Sequence, residues 1–119
     1  MRNFKELKIW QKGFQIAVNT FHITETFPSK ENFGLALQIR RAGVSIPSNI
    51  AEGSSRSGAK DYSRFAEISL GSAFELETQL LIAKEVKYGN ILLIEKTLAM
   101  LTDEEKMLAS FINTLSIKR

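Results

Sequence analysis

Apolar residues recur at helical spacing along almost all of this 119-residue chain, and only two prolines, Pro28 and Pro47, interrupt it. Strand-like alternation is absent. Such a chain is all-α. Four helices are predicted, at Lys5–Thr26, Ser29–Gly53, Ser57–Tyr88 and Ile91–Ile117. Phe27-Pro28-Ser29 ends the first, because proline disfavours a helical residue before it. Gly53-Ser54-Ser55-Arg56-Ser57-Gly58 is a loop, with Ser57 as N-cap of the third helix. Gly89-Asn90 offers a left-handed C-terminal cap. Thr102-Asp103-Glu104-Glu105 has the form of a capping box, but the last helix is read as continuous. Short loops between long helices make neighbours antiparallel, so the expectation is an antiparallel up-down four-helix bundle with a proline-kinked second helix, one domain over residues 1–119.

A chain of this size buries roughly 65% of its unfolded surface, enough for a core without staples. It has no cysteine, which excludes disulfides and thiolate metal sites. No run approaches the ~18 apolar residues of a membrane span. The segment MRNFKELKIWQKG is too charged for a secretory signal, so a cytoplasmic location is expected. Net charge is +3, unevenly spread. Residues 1–64 carry ten Lys/Arg against five Asp/Glu, and residues 65–119 carry six against eight. A basic half attracts phosphate backbones or an acidic partner, although +3 is also an ordinary solubility charge.

The helix faces carry more information than the boundaries. In the first helix Leu7, Phe14 and Phe21 recur every seven residues, with Trp10, Ala17 and Val18 beside them. They form the predicted core stripe. Ile9, Ile16 and Ile23 make a second stripe, about 160° around the helix from the first. In the second helix Leu35, Ile39, Ala42, Ile46 and Ile50 face the core, while Leu37, Val44 and Ala51 lie on the far side. The third helix is apolar over most of its circumference. Tyr62, Phe65, Ala73, Leu76 and Leu80 form one face, and Leu70, Phe74, Leu81 and Tyr88 another. One bundle core needs one stripe per helix. The surplus stripes, Ile9/Ile16/Ile23 and Leu37/Val44/Ala51, are assigned to a homo-oligomer interface. The alternative is side contacts within the bundle or scattered exposed aliphatics.

Catalytic chemistry finds little support. The only histidine is His22, which cannot supply a zinc site or a di-iron Glu-x-x-His pair set. No nucleophile elbow, phosphate loop or dinucleotide fingerprint is present. Glu75 and Glu77 point to different helix faces, a poor acid/base pair. No enzyme, metal or cofactor is expected.

The segment Gln38–Gly53, QIRRAGVSIPSNIAEG, remains. Pro47 cannot donate a hydrogen bond, and its ring crowds the carbonyl of Gly43. A kink or restart is expected, with Ser45 or Ser48 capping freed groups. Asn49 and Glu52 fall on the rim of the core stripe, where they either bond a neighbouring helix end or join a ligand site. Arg40 and Arg41 diverge by ~100° and flank the Leu37/Val44 stripe. Arg56, Lys60 and Arg64 cluster near the start of the third helix, where backbone N–H groups favour an anion. They make a candidate phosphate-binding patch. The alternative is a solvated face with local pairs such as Arg64 with Asp61.

Leu7–Gly13 (LKIWQKG), Gln38–Gly53 and Gly71–Leu80 (GSAFELETQL) resemble the bacterial four-helix-bundle proteins encoded in intervening sequences of large-subunit ribosomal RNA genes. The chain is also similar to the related accessory protein of diversity-generating retroelements. The resemblance implies an antiparallel four-helix bundle that assembles as a ring-shaped homopentamer. For the retroelement relatives it implies a basic surface that binds nucleic acid and a reverse transcriptase. Arg40, Arg41 and Glu52 fall on motif positions. Where the family commonly has Gly-Tyr-Leu after the third helix, this chain has Lys87-Tyr88-Gly89-Asn90. Together these readings predict a non-enzymatic homo-oligomer that binds structured RNA or an RNA–DNA hybrid, with a ring-shaped protein-interaction scaffold as the alternative.

Overall fold

The computed structural model describes residues 3–117, and no strand occurs among them. Four helices make the fold: α1 (Lys8–Thr24), α2 (Leu35–Ser54), α3 (Ala59–Glu85) and α4 (Ile91–Ile117). Each packs beside its neighbour in sequence, and α4 closes the square against α1; the diagonal pairs make no close backbone contact. The last helix has the predicted bounds and runs through Thr102–Glu105 without a break.

The other boundaries shift for local reasons. Leu7 is extended (ψ 131°), so Phe4–Glu6 is a separate 3-10 turn and α1 starts at Lys8. Ser29–Glu31 is likewise a 3-10 turn. Gly34 then turns the chain, and the Glu31 carboxylate accepts from the first N–H of α2, at Leu35 (3.2 Å). The residue before α3 is Gly58, with no side-chain cap, so Ser57 does not fill the predicted role.

The end of α3 departs from expectation in an informative way. Lys87, not Gly89, is the left-handed residue that terminates the helix, with φ +63°. Tyr88 N–H donates to Ala83 O (2.9 Å) and Lys87 N–H to Lys84 O (3.1 Å). These are the two bonds of a Schellman cap. Lys87 bears the steric cost of an L-residue there. Gly89 has its own positive φ of +83° and packs on Phe27 and Ile23, where a Cβ would lie 3.0 Å from the Phe27 ring. Asn90 caps α4 through Leu93 N–H (3.0 Å).

α2 passes through Pro47 as one helix, with no restart. Side chains supply extra donors around it. Asn49 Nδ2 donates to the Ser45 carbonyl (2.8 Å), and the buried Ser69 hydroxyl of α3 donates to the Ile46 carbonyl (2.8 Å). Ser45 instead meets Ser72 of α3 (2.7 Å). Asn49 and Ser69 thus bond the carbonyls of Ser45 and Ile46, and not that of Gly43, which Pro47 leaves without its helical donor.

The core corrects the reading of α1. Ile9, Ile16 and Ile23 are buried, the last two completely, and pack with Ile39, Ile46 and Ile50 of α2, Leu76 and Leu80 of α3, and Leu101 and Leu108 of α4. They are core residues and not an oligomer interface. The aromatic stripe faces out instead, with Phe14 49% and Phe21 51% exposed.

Small residues beside the isoleucines decide this. A Cβ on Gly43 would stand 2.7 Å from Cγ2 of Thr20, and one on Gly13 would stand 3.0 Å from Cγ2 of Ile46. α1 and α2 thus approach most closely along Gly13, Thr20 and Gly43. Bulky rings cannot occupy that seam. Two of the polar groups drawn in from α1 are hydrogen-bonded. Thr20 donates to Ala17 O (2.6 Å), and Asn19 donates to Thr97 of α4 (3.1 Å).

Two stability outcomes follow. Ile16→Ala should cost about 2–5 kcal/mol in urea unfolding, with Phe14→Ala well below it. Lys87→Gly should raise stability by about 0.5–1 kcal/mol, because glycine adopts the left-handed cap without strain.

Candidate assembly and nucleic-acid surfaces

With the isoleucines inward, α1 and α2 present one continuous apolar strip to solvent. Trp10, Phe14, Val18 and Phe21 come from α1, and Val44, Pro47 and Ala51 from α2. They line a groove of about 350 Å³ whose wall is almost wholly apolar. A second hollow continues it past Phe21 to Leu37, Arg40 and Arg41. Of the predicted interface residues, Leu37 and Ala51 are half-buried and Val44 is 42% exposed. The structure thus brings Leu37, Val44 and Ala51 together with Phe14 and Phe21. The signal that could have found the partner stripe was Gly13, Ala17, Thr20 and Thr24. This line of small residues flanks the isoleucines and marks the side where another helix can approach closely.

Arg40 is fixed at the edge of the groove. Its Nε donates to the Thr24 hydroxyl (2.9 Å), which itself donates to Thr20 O (2.8 Å). Its guanidinium lies 5.9 Å from the Phe21 ring centre, within cation–π range. Arg41 is exposed and has no ion-pair partner among the described residues. The two arginines flank the apolar strip, as their spacing predicts.

The other basic residues sit at the far end of α2. Thirteen residues of α2, about 20 Å at 1.5 Å per residue, separate Arg41 from the helix end at Ser54, and Arg56 lies two residues beyond it. Arg40 and Arg41 are therefore not part of the Arg56, Lys60 and Arg64 group. Within that group two side chains are already engaged. Arg56 pairs with Glu52 (3.1 Å) and lies 4.7 Å from the Phe65 ring centre. Arg64 pairs with Asp61 (3.3 Å). Both pairs are exposed and worth little energetically, so an incoming phosphate can compete for them. Lys60 is exposed and has no ion pair among the described residues. Asn49 and Glu52 both bond within or just beyond their own helix, not to a neighbouring helix end.

His22 is exposed on α1. No group of three His, Cys, Asp or Glu side chains among the described residues could hold a metal ion. No helix of the described residues is long and apolar enough to cross a membrane.

The sequence profile described as 23S rRNA-intervening sequence protein matches residues 5–110. The fold is similar to a crystal structure of a Bacteroides thetaiotaomicron protein of unknown function from the S23 ribosomal protein family. That match has a TM-score of 0.79 and 25% sequence identity, and covers 88% of this chain and 95% of the other. No curated protein matches the sequence.

The strip and the basic residues separate experimentally. Arg41→Ala should leave the unfolding midpoint within about 0.5 kcal/mol of wild type, because its side chain is free. Arg40→Ala should lower it measurably, because the Thr24 bond and the Phe21 contact are lost.

Proposed function

Because the chain belongs to the 23S rRNA-intervening sequence protein family, we propose that it acts by binding and not by catalysis. It self-associates through the outer strip of α1 and α2, and as an assembly it holds the phosphate backbone of structured RNA or an RNA–DNA hybrid. The observation that carries this reading is the apolar groove edged by Arg40 and Arg41. Its aromatic and aliphatic wall is costly to leave in water. A ring of five copies is the assembly implied by the resemblance to intervening-sequence proteins.

Assembly also answers the modest charge. A single chain carries only +3. In a symmetric oligomer Arg41, Lys60 and their neighbours repeat around the particle and their fields add. The contacts are to phosphates, with no base-reading element, so binding depends on shape and charge.

Light scattering at high concentration tests the assembly. The wild type should exceed the monomer mass, while Phe14→Glu and Val44→Glu should give smaller particles with unchanged helix content. A monomeric wild type would overturn this part. A salt series tests nucleic-acid binding. Log affinity against log salt should fall with a slope near −0.9 per phosphate on duplex, or about −0.7 on single strands. Arg41→Ala with Lys60→Ala should flatten that slope while the assembly persists.

A second reading is favoured by one specific observation, the prior engagement of Arg40, Arg56 and Arg64. It makes the assembly a scaffold for a protein partner. Absence of binding to any RNA, DNA or hybrid at low salt, with the oligomer intact, would select it.

A further inference from the structure

One residue of the core breaks its chemistry. Glu104 of α4 is 0% exposed, and neither carboxyl oxygen has a hydrogen-bond partner. Its Oε2 lies 2.9 Å from the position a Cβ on Gly13 would take, and Ile46 Cγ2 and Pro47 N border the same point at 3.0 and 3.6 Å. The carboxyl is therefore inserted at the α1–α2 seam. A glycine at position 13 makes room for it. The next residue, Glu105, is turned toward α3, where it meets Glu77; one of its oxygens is also buried. Of these two adjacent acids of α4, Glu104 is fully buried and Glu105 is half-buried on the α3 side.

An ionised carboxylate without partners in such a place is strongly disfavoured, whereas a neutral acid is tolerated. The groups facing these acids are few. From α1 the charge is Lys12, and α2 presents the apolar Ile46 and Pro47. From α3 the group is Glu77, itself an acid. One half-buried lysine faces Glu104, and Glu105 faces another acid.

We propose that Glu104 and the Glu105–Glu77 pair are a proton-occupied latch. With protons in place α4 is seated against α1, α2 and α3, and loss of the protons loosens that seat. Pro47 also lines the outer groove, so the seat of α4 and the floor of the groove share a residue.

The direction with pH follows from the burial. Desolvation lifts Glu104 from 4.5 to about 8, with the Lys12 charge pulling the other way. Burial first, then the hydrogen bond and the charge of Glu77, lift Glu105 to about 8. Between those values the folded chain holds more protons than the unfolded chain. The stability these two acids contribute is therefore full below about pH 4.5, falls as pH rises to about 8, and is lost above it. This is opposite to the behaviour of a salt-bridged carboxylate.

The test is the urea midpoint of the intact chain from about pH 5 to about pH 9, for wild type, Glu104→Gln and Glu105→Gln. The wild-type midpoint should fall with pH. Each variant should remove part of the fall, and the double variant nearly all of it. A wild-type midpoint that holds or rises over this range, or a double variant that keeps the wild-type slope, overturns the proposal. Infrared spectra of the folded wild type give a second test that needs no variant. A protonated-carboxyl band should be present at neutral pH and vanish as pH passes about 8. Its absence at neutral pH overturns the proposal even if the glutamine variants fail to fold.

Discussion

The close approach of α1 to α2 governs the rest of the structure. Gly43 lies against Thr20, and Gly13 against Ile46 and Glu104. This seam leaves no room for a bulky ring. It turns the isoleucine stripe of α1 inward and leaves Phe14 and Phe21 on the outside, with Trp10 half-buried beside them. Had α1 turned by half a revolution, the aromatic rings would fill the core and the isoleucines would face water. Both stripes are apolar, so the hydrophobic effect alone hardly distinguishes them. Packing at the seam does.

That choice produces the outer surface. The displaced rings meet the Leu37, Val44 and Ala51 side of α2 and form one strip, with Arg40 held along it by Thr24 and Phe21. The same seam also admits the Glu104 carboxyl, at a place where only glycine on α1 leaves space. One packing constraint thus leads to two features, an apolar face outside and a buried acid inside.

Much of this was legible in the sequence, because helical periodicity is a strong local signal. The helix count, the continuous α4 and the core stripe of α2 all follow from it. So does the presence of a surplus stripe on α1 and α2. Which stripe of α1 was surplus did not follow, because two seven-residue repeats of similar hydropathy compete. The deciding residues, Gly13, Thr20 and Gly43, act through contact between helices. Gly43 read as a companion of Pro47, whereas its contact is with Thr20. The cap at Lys87 was hidden for a related reason: residue preference points to Gly89, yet the cap forms two positions earlier and Lys87 takes on the strain. Glu104 read as part of a capping box because its depth in the bundle is a tertiary property. The Arg64–Asp61 pair was foreseen as a local contact, but the pairing of Arg56 with Glu52 and the distance between the two basic groups required the fold.

The central claim is that the aromatic strip of α1 is covered when the protein assembles. Trp10, the one tryptophan of the chain, lines the groove and reports on it directly. The decisive measurement is Trp10 fluorescence and particle mass followed together on dilution. The account predicts blue-shifted emission in the assembly and a red shift that coincides with the fall in mass. An emission maximum that stays fixed while the mass falls, or a monomer at every concentration, would contradict it.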